Sequence, residues 1–284
     1  MKNTEKKDED LVKIVQPLVD WYRENKRDLP WRHNPDAYRV WISEIMLQQT
    51  RVEAVKGYYD RFLKALPTVK DLAEAEEDKL LKLWEGLGYY NRVRNMQKAA
   101  QQIMVDHEGI FPDNYEEILQ LKGIGNYTAG AISAFAYGIP KPAVDGNVLR
   151  VISRITGSYE DIMKQSVRRK IENTLEQVIP SDAASDFNQG LIELGAIVCV
   201  PNGEPKCEEC PVKEYCIACK ENLTAEIPVK KKAKTRKIEE RTILIFKDGK
   251  RIAIRKRPAK GLLAGLYEFP NVEGKLSMDE VTEY

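Results

Sequence analysis

The chain has 284 residues, 43% hydrophobic and 31% charged, with 45 Lys and Arg against 44 Asp and Glu. That balance fits a globular protein of one large or two ordinary domains and excludes a histone-like polycation. Only two histidines are present, which argues against a histidine-rich metal site or a Ser-His-Asp hydrolase. No 18-residue apolar run offers a membrane span, and the opening MKNTEKKDED lacks the apolar core of a secretory signal. The expected setting is the cytoplasm, with no membrane partner.

Taken in chain order, apolar residues up to about residue 220 recur at helical spacing. Leu11, Ile14, Val15, Leu18, Val19 and Tyr22 form one stripe, and Val93, Met96, Ala100, Ile103 and Met104 another. Gly and Pro punctuate the connections, and no useful β-alternation precedes residue 240, so the body is expected to be all-α with roughly ten short helices. The stretch 221–240 reads as a basic, solvated linker. Beyond it, Thr242–Phe246 and Arg251–Arg255 flank Lys247-Asp-Gly-Lys250, a β-hairpin signal. The remaining residues 241–284 are too few for a comfortable core and read as part of a domain. Residues 1–220 hold 30 basic and 34 acidic side chains, whereas 230–260 hold 14 and 3.

Three features carry chemistry. The run Val40–Thr50 is apolar on nearly every helical face yet contains Glu44, a carboxyl that desolvation would keep protonated near neutral pH. Asp145 precedes a helical pattern, where free N–H groups and the helix dipole favour its anion. A protonated Glu beside an ionised Asp is the acid-plus-stabiliser pair of glycosidic cleavage. Between them, Leu121-Lys-Gly-Ile-Gly-Asn-Tyr-Thr-Ala129 joins two helical patterns through Gly123 and Gly125, which let backbone amides approach a phosphate. Finally, all five cysteines lie within 199–219: Cys199, Cys207, Cys210, Cys216 and Cys219. Such bunching in a loop is what soft thiolate ligands need. The spacing admits a zinc site from the two Cys-x2-Cys pairs, and favours an iron–sulfur cluster on Cys199, Cys207, Cys210 and Cys216.

These pieces in this order resemble the helix–hairpin–helix DNA glycosylases, and most closely the MutY-type adenine DNA glycosylases. The resemblance is carried by Asp28–Arg32, Ser43–Thr50, Gly86–Tyr90, Leu121–Ala129, Val144–Val148 and the cysteine loop. It implies a six-helix barrel (29–137), a second helical subdomain (1–28 with 138–220) holding a [4Fe–4S] cluster on the four cysteines just named, and a partial Nudix-like domain over 241–284. It implies double-stranded DNA containing A:8-oxoguanine or A:G mispairs as partner, bound by a monomer associated with the nucleoid. Glu44 would protonate a flipped adenine and Asp145 stabilise the sugar cation, with Tyr127 and Asn147 in support. Trp31, Arg32 and Gln189 would line the base pocket, and Gln49 and Tyr89 would wedge into the base stack. At position 127 the related endonuclease III enzymes carry the Lys that attacks the sugar; here a Tyr stands there, and Lys122 reads as a phosphate or solvent contact. The alternatives are a bifunctional pyrimidine glycosylase/lyase and a non-catalytic lesion binder. The chain departs from the family in a first cysteine gap of seven residues rather than six, in the extra Cys219, and in a C-terminal part that stops before the lesion-reading loop. Weakened preference for 8-oxoguanine over guanine is the corresponding expectation. Beside DNA, the basic stretch 230–260 takes on a phosphate-tracking reading.

Overall fold

Helical periodicity in the first part of the chain is realised as short helices around two apolar cores. The computed structural model describes residues 11–231, 238–258 and 260–283, which divide into one unit up to Lys231 and another from Lys232. The first unit contains α1 (Val15–Asn25), α2 (Ala37–Leu47), α3 (Val52–Ala65), α4 (Val69–Glu74), α5 (Glu77–Leu83), α6 (Asn91–Asp106), α7 (Tyr115–Gln120), α8 (Asn126–Tyr137), α9 (Gly146–Ile155), α10 (Gln165–Glu176), α11 (Ala184–Ile197) and α12 (Ile217–Lys220). Local chemistry sets several boundaries. Asp36, Asn114 and Asp145 each accept a backbone N–H at their helix starts, and Thr68 with Asp71 closes a capping box. Gly138, at φ 69°, ends α8 in the left-handed conformation.

One core gathers the inward faces of α2 to α8, including Trp41, Met46, Phe62, Leu72, Trp84 and Ile132. The other gathers Leu11 and Leu18 with Val148, Ile152, Phe187, Leu191 and Ile227. Helices α8 and α11 pack against each other and so join the two, while α2 lies on α8 and α9 on α11. The groove between the cores is where the site forms. Close backbone approach keeps it narrow: a Cβ on Gly130 of α8 would lie 2.0 Å from the Pro142 carbonyl oxygen.

The linker expected over 221–240 begins later than its composition suggests. Ile227 is buried in the second core, its carbonyl accepts from Arg154 Nε, and the Val229 carbonyl accepts from the Ile162 N–H. One apolar residue among charges is enough to anchor the strap because two hydrogen bonds to its backbone hold it. Residues 232–237, and the segment 1–10 placed in the helical subdomain, lie outside the described residues.

In the second unit, β1 (Arg241–Ile243) pairs antiparallel with β6 (Asn271–Glu273), β2 (Lys247–Asp248) with β3 (Arg251–Ile252), and β4 (Arg255–Lys256) with β5 (Tyr267–Glu268). The expected hairpin exists but is short. Its two-residue turn contains Gly249 at φ 56°, and the upstream strand pairs with β6 rather than continuing the hairpin. Helix α13 (Met278–Thr282) follows a Ser277–Glu280 capping box. Among the described residues of this unit only Leu244 is buried, and Ile245, Phe246, Ile254 and Leu262 are exposed. No helix among the described residues is long and apolar enough to cross a membrane.

The α8 contact yields a first test. Gly130→Ala must displace a backbone carbonyl and is expected to destabilise the fold by about 1–3 kcal/mol, read as a lower denaturant midpoint; an unchanged midpoint would show that the Pro142 segment yields freely.

Candidate active site

Glu44 sits on α2 among Trp41, Ile42, Ile45 and Met46, all buried, and is itself only 6% exposed. The helix is apolar around its girth because it packs on both neighbours, so the carboxyl has no route to bulk water except the groove. There the first turn of α8 supplies Tyr127, whose hydroxyl donates to Glu44 Oε2 at 2.5 Å. Burial pushes the Glu44 carboxyl up; the Tyr127 hydrogen bond opposes this, the charge of Asp145 adds to it and that of Arg32 opposes it, leaving a pKa of about 7. The Tyr127 hydroxyl is held well above the ordinary phenol value, first by burial and then by the charges of Glu44 and Asp145.

Asp145 caps α9. Its Oδ1 accepts from the Val148 N–H at 2.8 Å and its Oδ2 from Asn147 Nδ2 at 2.7 Å. A helix terminus taken alone favours the anion, as the sequence suggests. The full balance differs: burial raises the Asp145 carboxyl above its ordinary value, and the donors of Val148 and Asn147 and the charge of Arg150 pull it back only in part. Asn147 is fixed in turn, since its Oδ1 accepts from Arg150 Nη2 at 2.9 Å. Arg150 also donates to the carbonyls of Gly195 (2.7 Å) and Cys199 (2.8 Å). A Cβ on Gly195 would lie 2.5 Å from Asn147 Cβ, so glycine is what lets α11 come this close.

Glu44, Tyr127, Asp145 and Asn147 line one pocket of about 760 Å³ together with Trp31, Arg32, Gln189 and Gln49. Trp31 lies in a 3₁₀ turn, packed edge-on to Tyr59. Arg32 Nε donates to Gln189 Oε1 at 3.2 Å. Tyr89, Gly123 and Gly125 do not line the pocket. Tyr89 and Gln49 are exposed and left-handed (φ 47° and 60°), each at the tip of a turn, and Gly123 is left-handed at the α7–α8 turn, where a Cβ would meet Asn95 at 2.7 Å.

Three further charged residues brace this site without being among those the sequence singles out. Glu193 is fully buried on α11 and accepts from the Arg27 N–H, from Arg27 Nε and Nη2, and from Arg32 Nη2 at 2.7–3.0 Å. Burial pushes it up, but these donors outweigh that and hold it at about 2. The signal existed: Glu193 interrupts the apolar run Leu191–Leu194 one helical turn after Gln189. Arg92 donates to the carbonyls of Ile45, Gln48, Leu87 and Gly88 and lies over the rings of Trp84 and Tyr89. One guanidinium thereby ties the Gln49 turn to the Tyr89 turn. Arg168 donates to the Val144 carbonyl just before Asp145.

The five cysteines carry no disulfide and line a second, smaller pocket with Arg154 and Thr224. Arg154 Nη1 donates to Cys199 Sγ at 3.2 Å, and the rest of its guanidinium goes to the carbonyls of Val200, Thr224 and Ile227. Arg150 and Arg154 are thus buried cations whose bonds go to neutral oxygens and a sulfur, and thiolates in this pocket would supply the missing negative charge. The donor set fits a thiolate-held metal centre. Among the described residues no three His, Cys, Asp or Glu side chains are gathered as a ready cage for a single ion.

Residues 42–177 match the family described as HhH-GPD superfamily base excision DNA repair protein. Adenine DNA glycosylase of Buchnera aphidicola (from Acyrthosiphon pisum) is 38% identical over 92% of this chain and 74% of its own length. The Arabidopsis thaliana and Homo sapiens adenine DNA glycosylases are 38% and 34% identical over 92% and 90% of the chain, which spans 47% and 56% of their lengths. The chain belongs to the adenine DNA glycosylase family. A thermostable thymine-DNA glycosylase superposes with a TM-score of 0.67 at 30% identity, covering 77% of this chain and 99% of that one. An endonuclease III–DNA complex at 24% identity (TM-score 0.62, 75% and 98% covered) shares the fold.

A reaction that takes its proton from Glu44 needs that carboxyl protonated. The rate of the chemical step is therefore expected to fall as pH rises through about 7. Tyr127→Phe deletes the one hydrogen bond that lowers the Glu44 carboxyl, so the falling limb should move to higher pH; a limb that stays in place or moves down assigns it to another group. Stability has the same sign: a carboxyl raised in the folded state opposes folding increasingly above the ordinary value of 4.5, levelling off above about 7. Glu44→Gln should therefore gain stability over wild type at pH 8 relative to pH 5, measured by denaturant titration at both.

Proposed function

We propose that the chain hydrolyses the N-glycosidic bond of adenine mispaired with 8-oxoguanine or guanine in duplex DNA, as a monofunctional glycosylase of base-excision repair acting as a monomer. The single observation that carries this reading is the pairing in one pocket of a carboxyl held near neutrality, Glu44, with a helix-capping carboxylate, Asp145. Adenine is a poor leaving group from a sugar until a ring nitrogen is protonated. A flipped adenine would enter between Trp31 and the Arg32–Gln189 pair, which offer one apolar face and one edge of hydrogen-bonding groups. Glu44 would give its proton to N7, and the C–N bond would break towards an oxocarbenium-like sugar. The Asp145 carboxylate, aimed by Asn147 and the Val148 N–H, would stabilise that cation or collapse on it before water replaces it. Once ionised, Glu44 would accept a proton from the attacking water, with Tyr127 sharing its charge.

Position 127 offers a phenol rather than an amine, so the sugar has no Schiff-base partner there. Lys122 is exposed on the hairpin, beside Gly123 and Gly125 in the chain, which supports a phosphate contact. The turns bearing Gln49 and Tyr89, tied by Arg92, would enter the base stack. Cys199, Cys207, Cys210 and Cys216 would hold a [4Fe–4S] cluster. When bound, it would cross-link the loop and set negative charge beside Arg150 and Arg154.

Single-turnover assays on A opposite 8-oxoguanine, A opposite G and damaged pyrimidines are expected to show adenine release alone. Strands should stay intact until alkali or heat. Glu44→Gln and Asp145→Asn should each slow release by about 10²–10⁴-fold, and borohydride should trap no DNA adduct. A trapped adduct would make the enzyme a lyase, and unaltered rates in both variants would remove catalysis from this pocket. Iron and acid-labile sulfide should accompany the purified protein; stoichiometric zinc in their place overturns the cluster.

A further inference from the structure

Gln49 stands at the tip of the turn between α2 and α3, and Tyr89 at the tip of the turn between α5 and α6. Both are exposed, and both are left-handed although neither is glycine (φ 60° and 47°). A residue with a side chain takes that conformation at a cost, so each tip depends on its surroundings to hold it.

The hold converges on one side chain. Arg92, the second residue of α6, places Nη1 on the carbonyls of Ile45 (2.7 Å) and Gln48 (2.7 Å) and Nη2 on those of Leu87 (3.0 Å) and Gly88 (3.2 Å). Each nitrogen thus serves one turn. The Gln48 carbonyl belongs to the planar peptide unit that enters Gln49, and the Gly88 carbonyl to the unit that enters Tyr89. Fixing those two planes constrains φ at both tips. Trp84 Nε1 adds a donor to the Gly88 carbonyl at 3.0 Å, and the guanidinium lies over the rings of Trp84 and Tyr89.

Stability alone does not call for a guanidinium here. Among the described residues no carboxylate pairs with Arg92, and its Nε is buried without a partner. An apolar side chain could cover Trp84 without burying a charge. It could not hold two turns remote in sequence in one mutual geometry. A wedge already ordered in the free protein loses no conformational freedom when it meets the duplex.

We propose that Arg92 is a positioning residue for adenine extrusion: it fixes the Gln49 and Tyr89 tips as one preformed wedge, and so acts on opening of the base stack rather than on cleavage of the glycosidic bond, a role that rests on the excision reading above.

The test uses the intact chain, with concentrations set by active-site titration so that inactive molecules do not count. Arg92→Lys keeps the charge on a single nitrogen, and Arg92→Met keeps only an apolar stem. Single-turnover release is compared for adenine opposite 8-oxoguanine and adenine opposite an abasic analogue, where no pairing opposes extrusion. Both variants should slow release from the pair by about 10–10²-fold, and from unpaired adenine by less than about threefold. In the Glu44→Gln background, 2-aminopurine placed beside the target adenine should brighten more slowly by a similar factor. Equal loss on the two substrates would overturn the proposal, because a general brace or a defect in bond cleavage falls on both. Unchanged rates in both variants would overturn it too, as would unaltered release in a Gln49→Ala/Tyr89→Ala variant. Wild type that releases no adenine opposite 8-oxoguanine would instead refute the excision reading itself. If neither variant at position 92 folds by circular dichroism, Trp84→Phe removes the second donor to the Gly88 carbonyl and gives the same comparison with the same outcomes.

Discussion

The guanidinium of Arg150 is the constraint on which the rest of the site depends. A buried cation must direct its donors at fixed acceptors or forfeit several kcal/mol of order-of-magnitude solvation. Arg150 directs them at the Cys199 carbonyl, the Gly195 carbonyl and the Asn147 side chain. Those acceptors belong to the cysteine loop, the end of α11 and the start of α9. Asn147 then orients Asp145, so the aim of the proposed catalytic carboxylate is fixed by acceptors on two other segments of the chain. Arg154, one turn along α9, does the same for the cysteine loop and the strap at 224–227. Anything that holds the cysteine loop in shape therefore also holds the carbonyl that Arg150 needs.

Three carboxyl groups share the pocket walls, Glu44 and Glu193 buried and Asp145 half-buried, and their surroundings push them apart. Glu193 meets two arginines and sits at about 2, while Glu44 meets one phenol and sits at about 7. Asp145 is raised by burial, and two amides and the charge of Arg150 offset that rise only in part. Depth alone would raise all three. The difference is the number and charge of the donors, which is why Glu44, and not Glu193, retains a proton that can be given away near neutrality. Glu193 gains nothing for proton transfer from its position; by saturating Arg27 and Arg32 it fixes the guanidinium that faces Gln189.

The range of each interaction decides how much of this is legible in the sequence. Glu44 stands out because its neighbours at helical spacing are apolar, a local pattern. Asp145 stands out as a helix cap, also local, but its burial is not visible there, and burial reverses the direction in which its carboxyl shifts. Arg150 and Arg154 lie in the apolar run Val148–Ile155 and could be flagged by the logic applied to Glu44, yet their acceptors outside α9 are 45 to 73 residues away. The Arg92 clip between two turns has no local signature at all. Helices are readable because their bonds are local; β1 pairs with a strand 30 residues on, so its flank alone suggests a longer hairpin than the one formed. The strap at 221–231 is missed for a related reason, since composition averages over Ile227 while packing does not.

The near-neutral total of +1 hides a further consequence of these pairings. The arginines around the pocket are already engaged: Arg27 and Arg32 by Glu193, Arg150 by carbonyls and Asn147, Arg168 by the Val144 carbonyl. They shape the cavity with donors already spent on fixed acceptors, which suits a pocket for a neutral base. A field strong enough to seize phosphate there would also stabilise the Glu44 anion and remove the proton that the proposed chemistry requires. Backbone charge must then be met outside the pocket, where the hairpin around Gly123 and Gly125 offers amide donors rather than full charges. Separating the grip from the acid is what allows one narrow groove to hold a neutral carboxyl next to a polyanion.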